Sequence, residues 1–271
     1  MSNSRKHAII AIACMVNLVP YFVAAQSRSK SSRKGEIYFS WGYNKEWYTK
    51  SNIRINQPEL GNYYSLRHVE AHDHPGWDEG LFSRALTIPQ YNYRLGYFFS
   101  DDLAIEINFD HTKYIIDQQE IHYTGKMDNK PVDATLDWKE ENGFYYFLNN
   151  GANFLLFNIV KNWNLYEHPT NKIRIDMLGK AGIGPVLPHV ENSFFGQKNK
   201  PDFQFGGWNF GVEQAIKATF YKYAYLEFSH KIDYARYAHL HIYKGKARQA
   251  FGTYELILSL GVNIPTIKKH K

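Results

Sequence analysis

Residues 254–264 read Tyr-Glu-Leu-Ile-Leu-Ser-Leu-Gly-Val-Asn-Ile, with an apolar or aromatic side chain at every even-numbered position. A period of two is typical of a β-strand that has one apolar face. A tilted strand of about 9–11 residues crosses a membrane, and this stretch reaches that length. It therefore predicts a membrane-spanning strand whose even-numbered side chains face lipid.

The same alternation recurs in seven segments earlier in the chain. Their apolar sides run over Ile37–Trp47, Tyr91–Phe99, Leu103–Phe109, Leu155–Trp163, Ile173–Ile183, Trp208–Ile216 and Ala224–Ile232. We therefore predict an all-β fold, an eight-stranded antiparallel transmembrane β-barrel. Asn62–Glu70 and Glu120–Tyr123 also have strand-like sequences, so a ten-stranded barrel is the alternative.

The predicted connections alternate in length. Residues 100–102, 166–171 and 221–222 are short connections, whereas residues 48–88, 117–149, 187–204 and 236–249 are long ones. Barrels of the bacterial outer membrane have short periplasmic turns and long outer loops. The pattern predicts this membrane as the location, with the N-terminus of the barrel on the periplasmic side.

The N-terminus has the three parts of an export signal. Arg5 and Lys6 precede an apolar run, Ala8–Val23, and small residues follow it at 24–25. Asn17 and Pro20 interrupt the run, which makes it a poor membrane anchor. The predicted divisions are a signal peptide at 1–25, a flexible leader at 26–34, the barrel at 35–264 and a periplasmic tail at 265–271.

Composition excludes several kinds of site. The single cysteine, Cys14, lies in the predicted signal peptide, so the mature chain has no disulfide, thiolate metal ligand or cysteine nucleophile. Aromatic residues make up 17% of the chain, which is typical of barrels with aromatic girdles at both membrane interfaces. The net charge of +6 is spread along the sequence without an aromatic-rich basic motif, so no nucleic-acid partner is expected.

The inward sides of the predicted strands carry charges of both signs. An eight-stranded barrel has room inside for side chains and little else. Charges removed from water need partners, so we expect these to pair across the lumen and to plug it, which disfavours a channel. The inward set is Glu36, Arg94, Glu106, Arg174, Asp176, Lys180, Glu213, Lys217, Glu227, Lys231 and Glu255.

Nine of the twelve histidines map to the predicted outer side. Residues two positions apart on a strand share one face, so each His-x-His pair could direct both imidazole rings at one metal ion. Imidazole and carboxylate ligands suit a divalent metal such as iron, although solvated loop histidines are an equally simple interpretation. The candidate metal ligands are His72, His74, His189, His239 and His241.

Three pieces of sequence, Asn108–Lys113, Asn149–Asn153 and Gly182–Glu191, stand at the predicted outer ends of strands. In their residues and in their order along the chain, they resemble the lipid A oxidase-like group of small outer-membrane barrels. The resemblance implies a metal- and oxygen-dependent oxidation of the glucosamine unit of lipid A at the outer leaflet. The site residues that it implies are Asp110, His111, Asn150, His189 and Glu191.

Two functions therefore remain open. One is a lipid A-modifying enzyme at the extracellular rim, and the other is a non-enzymatic structural or ligand-binding barrel. The expected partners in either case are outer-membrane lipid and lipopolysaccharide. An enzyme requires Asp110, His189 and a loop histidine to converge on one point, whereas a structural barrel leaves them apart.

Overall fold

A computed structural model describes residues 32–76, 90–148, 151–170 and 172–265. The predicted signal peptide and residues 266–271 lie outside these ranges. Within them the chain is almost entirely antiparallel β-structure, with single 3₁₀ turns at Pro58–Leu60 and Glu140–Asn142. Among the described residues, no helix has the length and apolar character needed to cross a membrane.

The strands follow in chain order. They are β1 (Ile37–Tyr48), β2 (Ser51–Gln57), β3 (Asn62–Val69), β4 (Ala71–His72), β5 (Tyr91–Phe98), β6 (Leu103–His111), β7 (Tyr114–Ile116), β8 (Gln119–Met127), β9 (Lys130–Trp138), β10 (Tyr145–Leu148), β11 (Phe154–Glu167), β12 (Ile173–Val186), β13 (His189–Phe194), β14 (Gln197–Lys198), β15 (Asp202–Phe203), β16 (Gly207–Phe220), β17 (Ala224–Ile242) and β18 (Gly245–Ile264).

Eight of these strands close a ring. The antiparallel pairs run β1–β5–β6–β11–β12–β16–β17–β18 and return from β18 to β1. The antiparallel barrel prediction is thereby confirmed, and the ring matches the eight-stranded prediction rather than the ten-stranded alternative. Its two extra segments do form strands, β3 and β8, but these pair with each other outside the ring.

The wall of the ring is apolar outside and polar inside. Outward side chains such as Leu95, Ile105 and Ile159 are more than half exposed, at 51%, 51% and 55%. Their inward neighbours Arg94 and Glu106 are buried. We call the outward apolar surface the belt. A soluble barrel would place water against this surface, whereas lipid accommodates it.

The polarity of the wall inverts along the two longest strands. Inward positions of β17 are charged low in the barrel, at Glu227 and Lys231, but apolar higher up, at Tyr237 and Leu240. The outward side changes in the opposite sense, from Ile232 in the belt to exposed polar residues beyond it. The same strand therefore leaves the membrane and enters water, with one register irregularity between Tyr237 and Leu240.

Beyond the belt, the long connections fold into a second β-layer with its own core. We call it the outer cap, formed by residues 49–76, 112–148, 187–206 and 236–251. The pairs β18–β2, β2–β3, β3–β8 and β8–β9 extend the barrel wall into it. Its apolar core includes Ile53, Leu66, Ile121, Trp138 and Phe194. This core closes the outer mouth of the barrel.

The last residues of the predicted flexible leader (26–34) contact the barrel, and residues 26–31 lie outside the described residues. The Arg33 side chain is buried inside the periplasmic end of the barrel, where its guanidinium contacts Glu36 at 2.7 Å and Asn162 at 2.7 Å. Ser32 Oγ donates to Asp101 at 2.7 Å. A buried arginine needs such partners, and they hold this part of the leader in place.

Candidate functional site at the outer rim

The three sequence pieces that carry the resemblance meet at the outer rim of the barrel. His111 ends β6, residues 151–153 precede β11, and Leu187 follows β12. Nδ1 of His111 lies 2.8 Å from Oδ1 of Asn153, and Nδ2 of Asn153 donates to the carbonyl of Leu187 at 2.9 Å. One asparagine thus joins the ends of three strands. We call this arrangement the rim junction.

Backbone hydrogen bonds complete the rim junction. The His189 N–H donates to the Gly151 carbonyl at 2.9 Å, and the Leu187 N–H donates to the Asn153 carbonyl at 3.0 Å. Gly151 has a φ of 118°, and a Cβ there would lie 1.9 Å from Oδ1 of Asn153. Only glycine fits that conformation and that approach. The glycine and asparagine at 151 and 153 are therefore explained in large part by the hydrogen bonds that close the rim.

Asp110 and His111 lie on opposite sides of the barrel wall. The His111 ring faces outward and stacks on Tyr91 with 4.6 Å between ring centroids. The Asp110 side chain is buried in the lumen, where it contacts Lys231 and accepts a hydrogen bond from Asn108 at 2.8 Å. Adjacent residues of a strand point to opposite faces, so the two cannot act on one substrate atom.

The other residues implied by the resemblance are only partly brought together. Asn150 lies outside the described residues. The His189 ring packs against Phe203 with 4.7 Å between centroids, and Glu191 stands opposite Phe147 in the β10–β13 pair. In the described ranges, no hydrogen bond or ion pair joins Asp110 or Glu191 to His111 or His189. Their shared catalytic role stays a prediction.

The histidines proposed as metal ligands lie on different parts of the outer cap. Nδ1 of His72 contacts Asp117, whereas Nδ1 of His241 lies 2.9 Å from Asp202. Each imidazole therefore has a carboxylate partner of its own. His230, one of the nine histidines that the sequence predicts on the outer side, lies within the belt.

The remaining ligand candidates are held through their backbones. The N–H of His74 donates to Gln90 at 3.1 Å, and the carbonyl of His239 accepts from Gln204 at 3.1 Å. His239 adopts a φ of 59°, at the irregularity between β17 and β18. Across the described ranges, no three histidine, aspartate or glutamate side chains are grouped as metal ligands. The divalent-metal prediction stays a prediction.

The inward charges form the most extensive polar network of the barrel. Arg94 contacts Glu213 and Glu227, each at 2.9 Å, and Lys180 contacts Glu227 at 2.8 Å and Glu106 at 3.2 Å. We call these five residues the lumen cluster. All five are buried. The predicted pairing across the lumen is confirmed, and side chains fill the middle of the barrel.

A second charged cluster lies above it, nearer the cap. Lys231 contacts Asp233 and Glu255, each at 3.1 Å, as well as Asp110. Three carboxylates surround one ammonium group here. Together, the two charged clusters and the apolar core of the cap fill the interior of the barrel.

Sequence reasoning missed one outer surface. Five exposed cations, Arg54, Lys126, Arg236, Lys246 and Arg248, share the outward side of the extended sheet β17–β18–β2–β3–β8. We call this surface the basic face. The sequence feature that indicates this surface is an alternation of polar and apolar residues over 52–56 and 246–250, in the long connections of the predicted barrel.

No protein-family model matches the chain, and no curated protein matches it either. Solved structures that resemble it include the outer membrane protein OprG from Pseudomonas aeruginosa, with a TM-score of 0.43 and 10% identity over 88% of this chain and 100% of that chain. The outer membrane protease OmpT from Escherichia coli has a TM-score of 0.37 and 8% identity over 89% and 100%. These likenesses carry no conclusion about function.

The architecture itself decides the class of protein. A closed antiparallel ring, an apolar belt, a polar lumen and connections that alternate in length occur together in one class. The protein is a bacterial outer-membrane β-barrel. The short turns lie at one end of the barrel, and the outer cap with the rim junction and the basic face lies at the other.

Proposed function

We propose that the protein is a non-conducting barrel that binds a cell-surface ligand on its outer cap. The observation that carries the proposal is the apolar core of the cap, which turns the long connections into a rigid surface. Connections that only join strands need no core. A preformed surface lowers the ordering cost of binding, which is the advantage that such a core provides.

The filled lumen supports the same proposal. Buried ion pairs occupy the centre of the barrel, and the apolar core closes the outer mouth. An ion that crossed the barrel would have to separate these charges in a low-dielectric interior, which is costly. Transport through the barrel is therefore a poorer explanation of the fold than binding on its surface.

Two measurements test the proposal. Purified protein in planar bilayers, with a general porin as the positive control, is expected to give no stepwise conductance. Native mass spectrometry of protein extracted in mild detergent is expected to show a bound molecule that survives extraction. Steady channel openings would contradict the proposal. So would a mass spectrum that shows only protein without a bound molecule after extraction at the salt concentration of the growth medium.

Lipid A modification is the second candidate, and the rim junction is the observation that favours it. His111 is on the lipid side of the wall, at the level of the outer interface, and its Nδ1 is oriented by Asn153. The oxidation implied by the resemblance would be supported if lipid A from expressing cells gained mass that is lost with His111→Ala and with His189→Ala. Identical lipid A from cells with and without the protein would remove this candidate.

A further inference from the structure

The five cations of the basic face lie on one side of a continuous sheet. In antiparallel pairs, directly opposed residues share a face. Arg248 of β18 is opposed to Arg54 of β2, and Lys246 is opposed to Asn56. Asn56 is in turn opposed to Tyr63 of β3, and Tyr63 to Lys126 of β8. Register alone therefore places these charges on one surface.

Most of this surface lacks the carboxylates that usually neutralise cations; at its far edge Asp133 of β9 stands opposite Thr124 of β8 and is paired with His122 at 2.7 Å. Strands β2 and β3 and residues 236–250 contain no aspartate or glutamate. In the part of the chain that the structure describes, none of the five basic side chains forms an ion pair. By contrast, the exposed Lys50 and Lys244 contact Glu70 and Glu59. Some cations of the cap therefore have carboxylate partners, whereas the five of the basic face have none among the described residues.

The opposition of Arg54 and Arg248 is unfavourable in isolation. Side chains at directly opposed positions have Cβ atoms about 5 Å apart, and like charges there destabilise the pair. An anion between the two guanidinium groups reverses the sign of the interaction, and a phosphate accepts hydrogen bonds from both. The sheet thus carries a local cost that an anionic ligand relieves.

The basic face begins at the membrane surface. Arg236 is directly opposed to Trp208, whose ring lies tilted on that of Tyr234 with 5.9 Å between centroids; we assign these outward aromatics at the top of the belt to the outer girdle. Arg236 is also opposed to Ala250, and Arg248 and Lys246 follow two and four residues further up β18. At a rise of about 3.4 Å per residue, the cations stand at steps of about 7 Å above the girdle.

We infer that the basic face binds the phosphorylated headgroup of an outer-leaflet glycolipid, a lipopolysaccharide. A ladder of unpaired cations that starts at the girdle fits a ligand that is anchored in the bilayer and carries anionic groups at increasing height. The inference rests on the proposed binding function and names the ligand and its surface. The rim junction is separate from this surface, because it joins β6, β11 and β12, whereas the basic face continues β17 and β18.

Binding of bisphosphorylated lipid A to purified full-length protein in dodecyl maltoside tests the inference. Each surface cation contributes about 1 kcal/mol to such an interaction, so Arg54→Gln/Arg248→Gln is expected to bind about 30-fold more weakly. The control variant, Lys50→Gln/Lys244→Gln, removes the same charge from cations that already have partners. It is expected to bind within about twofold of wild type.

Each outcome decides the matter. Equal affinity of the two double variants would overturn the inference, and so would equal affinity of wild type for lipid A and its dephosphorylated form. If wild type ignores lipid A but retains another molecule after extraction, the inference fails and the proposed function stands. If it retains nothing, both fail. An unchanged β-sheet circular dichroism spectrum shows that each variant is folded, and Arg54→Lys/Arg248→Lys is expected to keep most of the affinity.

Discussion

The lumen cluster offers the sharpest test of how the barrel is stabilised. Arg94→Met removes a buried guanidinium that contacts Glu213 and Glu227, each at 2.9 Å, and leaves both carboxylates to Lys180. Methionine keeps much of the side-chain volume, so the change is mainly one of charge. The wild-type cluster has two cations among three buried carboxylates, whereas the variant has only one cation among the same three carboxylates.

Removing one member of a buried ion pair costs about 3–5 kcal/mol. Because Lys180 still contacts both carboxylates, we expect the free energy of unfolding to fall by about 3 kcal/mol, at the lower end of that range. Arg94→Met/Glu213→Gln restores the original excess of one carboxylate over the cations. We expect this double variant to recover more than half of the loss, since no additional charge is left unpaired.

Urea titration of the protein in lipid vesicles, followed by tryptophan fluorescence, measures these differences. Lys50→Met is the matched control, because its contact with Glu70 is exposed and worth less than about 1 kcal/mol. If Arg94→Met unfolds within about 1 kcal/mol of wild type, or if the double variant is less stable than the single one, the ion pairs do not stabilise the barrel as described.

Three further predictions concern the wall and the cap, each measured by the same urea titration. Gly96→Ala is expected to destabilise by about 1–3 kcal/mol, because its Cβ would lie 2.1 Å from the Tyr38 ring; wild-type stability would mean that the ring moves freely. Leu258→Arg, in the belt, is expected to cost about 2–4 kcal/mol, whereas Tyr63→Arg on the cap, which only adds a charge opposite Lys126, is expected to cost less than about 1 kcal/mol; equal costs would contradict the position of the belt. Leu66→Ala should cost about 2–5 kcal/mol if the cap has a core, and a cost below about 1 kcal/mol would show that it does not.

The barrel was predictable because lipid imposes one simple rule on every strand. Outward side chains must be apolar over the whole width of the membrane, so the period of two persists for many residues, as it does over 254–264. Short turns then fixed the order of the strands and their direction. These signals are local in sequence, and the eight segments identified from them are the eight strands of the ring.

The outer cap was not predictable in the same way. Its strands are short, and β2 pairs with β18 nearly two hundred residues away. The alternation at Ile53 and Ile55 has the apolar side inward, as in a soluble protein, so it did not match the pattern that defined the barrel. Segments that looked like two additional barrel strands belong to this layer. The basic face became visible only once that pairing was known.

The candidate site was located correctly in part. The motif pieces were expected at the rim, and His111, Asn153 and Leu187 do meet there. The resemblance implies that Asp110 and His111 act together, although alternation along a strand separates adjacent side chains. The pairing of Asp110 with Lys231 depends on barrel closure, which no local pattern reveals.

The central claim is that the cap is extracellular and the short turns are periplasmic. In a Cys14→Ser background, Arg248→Cys and Thr170→Cys place one thiol on each side, since no other cysteine is present. A maleimide polymer too large to cross the outer membrane should label Arg248→Cys in intact cells. It should label Thr170→Cys only after the outer membrane is permeabilised. Labelling of Thr170→Cys in intact cells, with Arg248→Cys protected, would contradict the orientation of the barrel and the functions assigned to its outer surface.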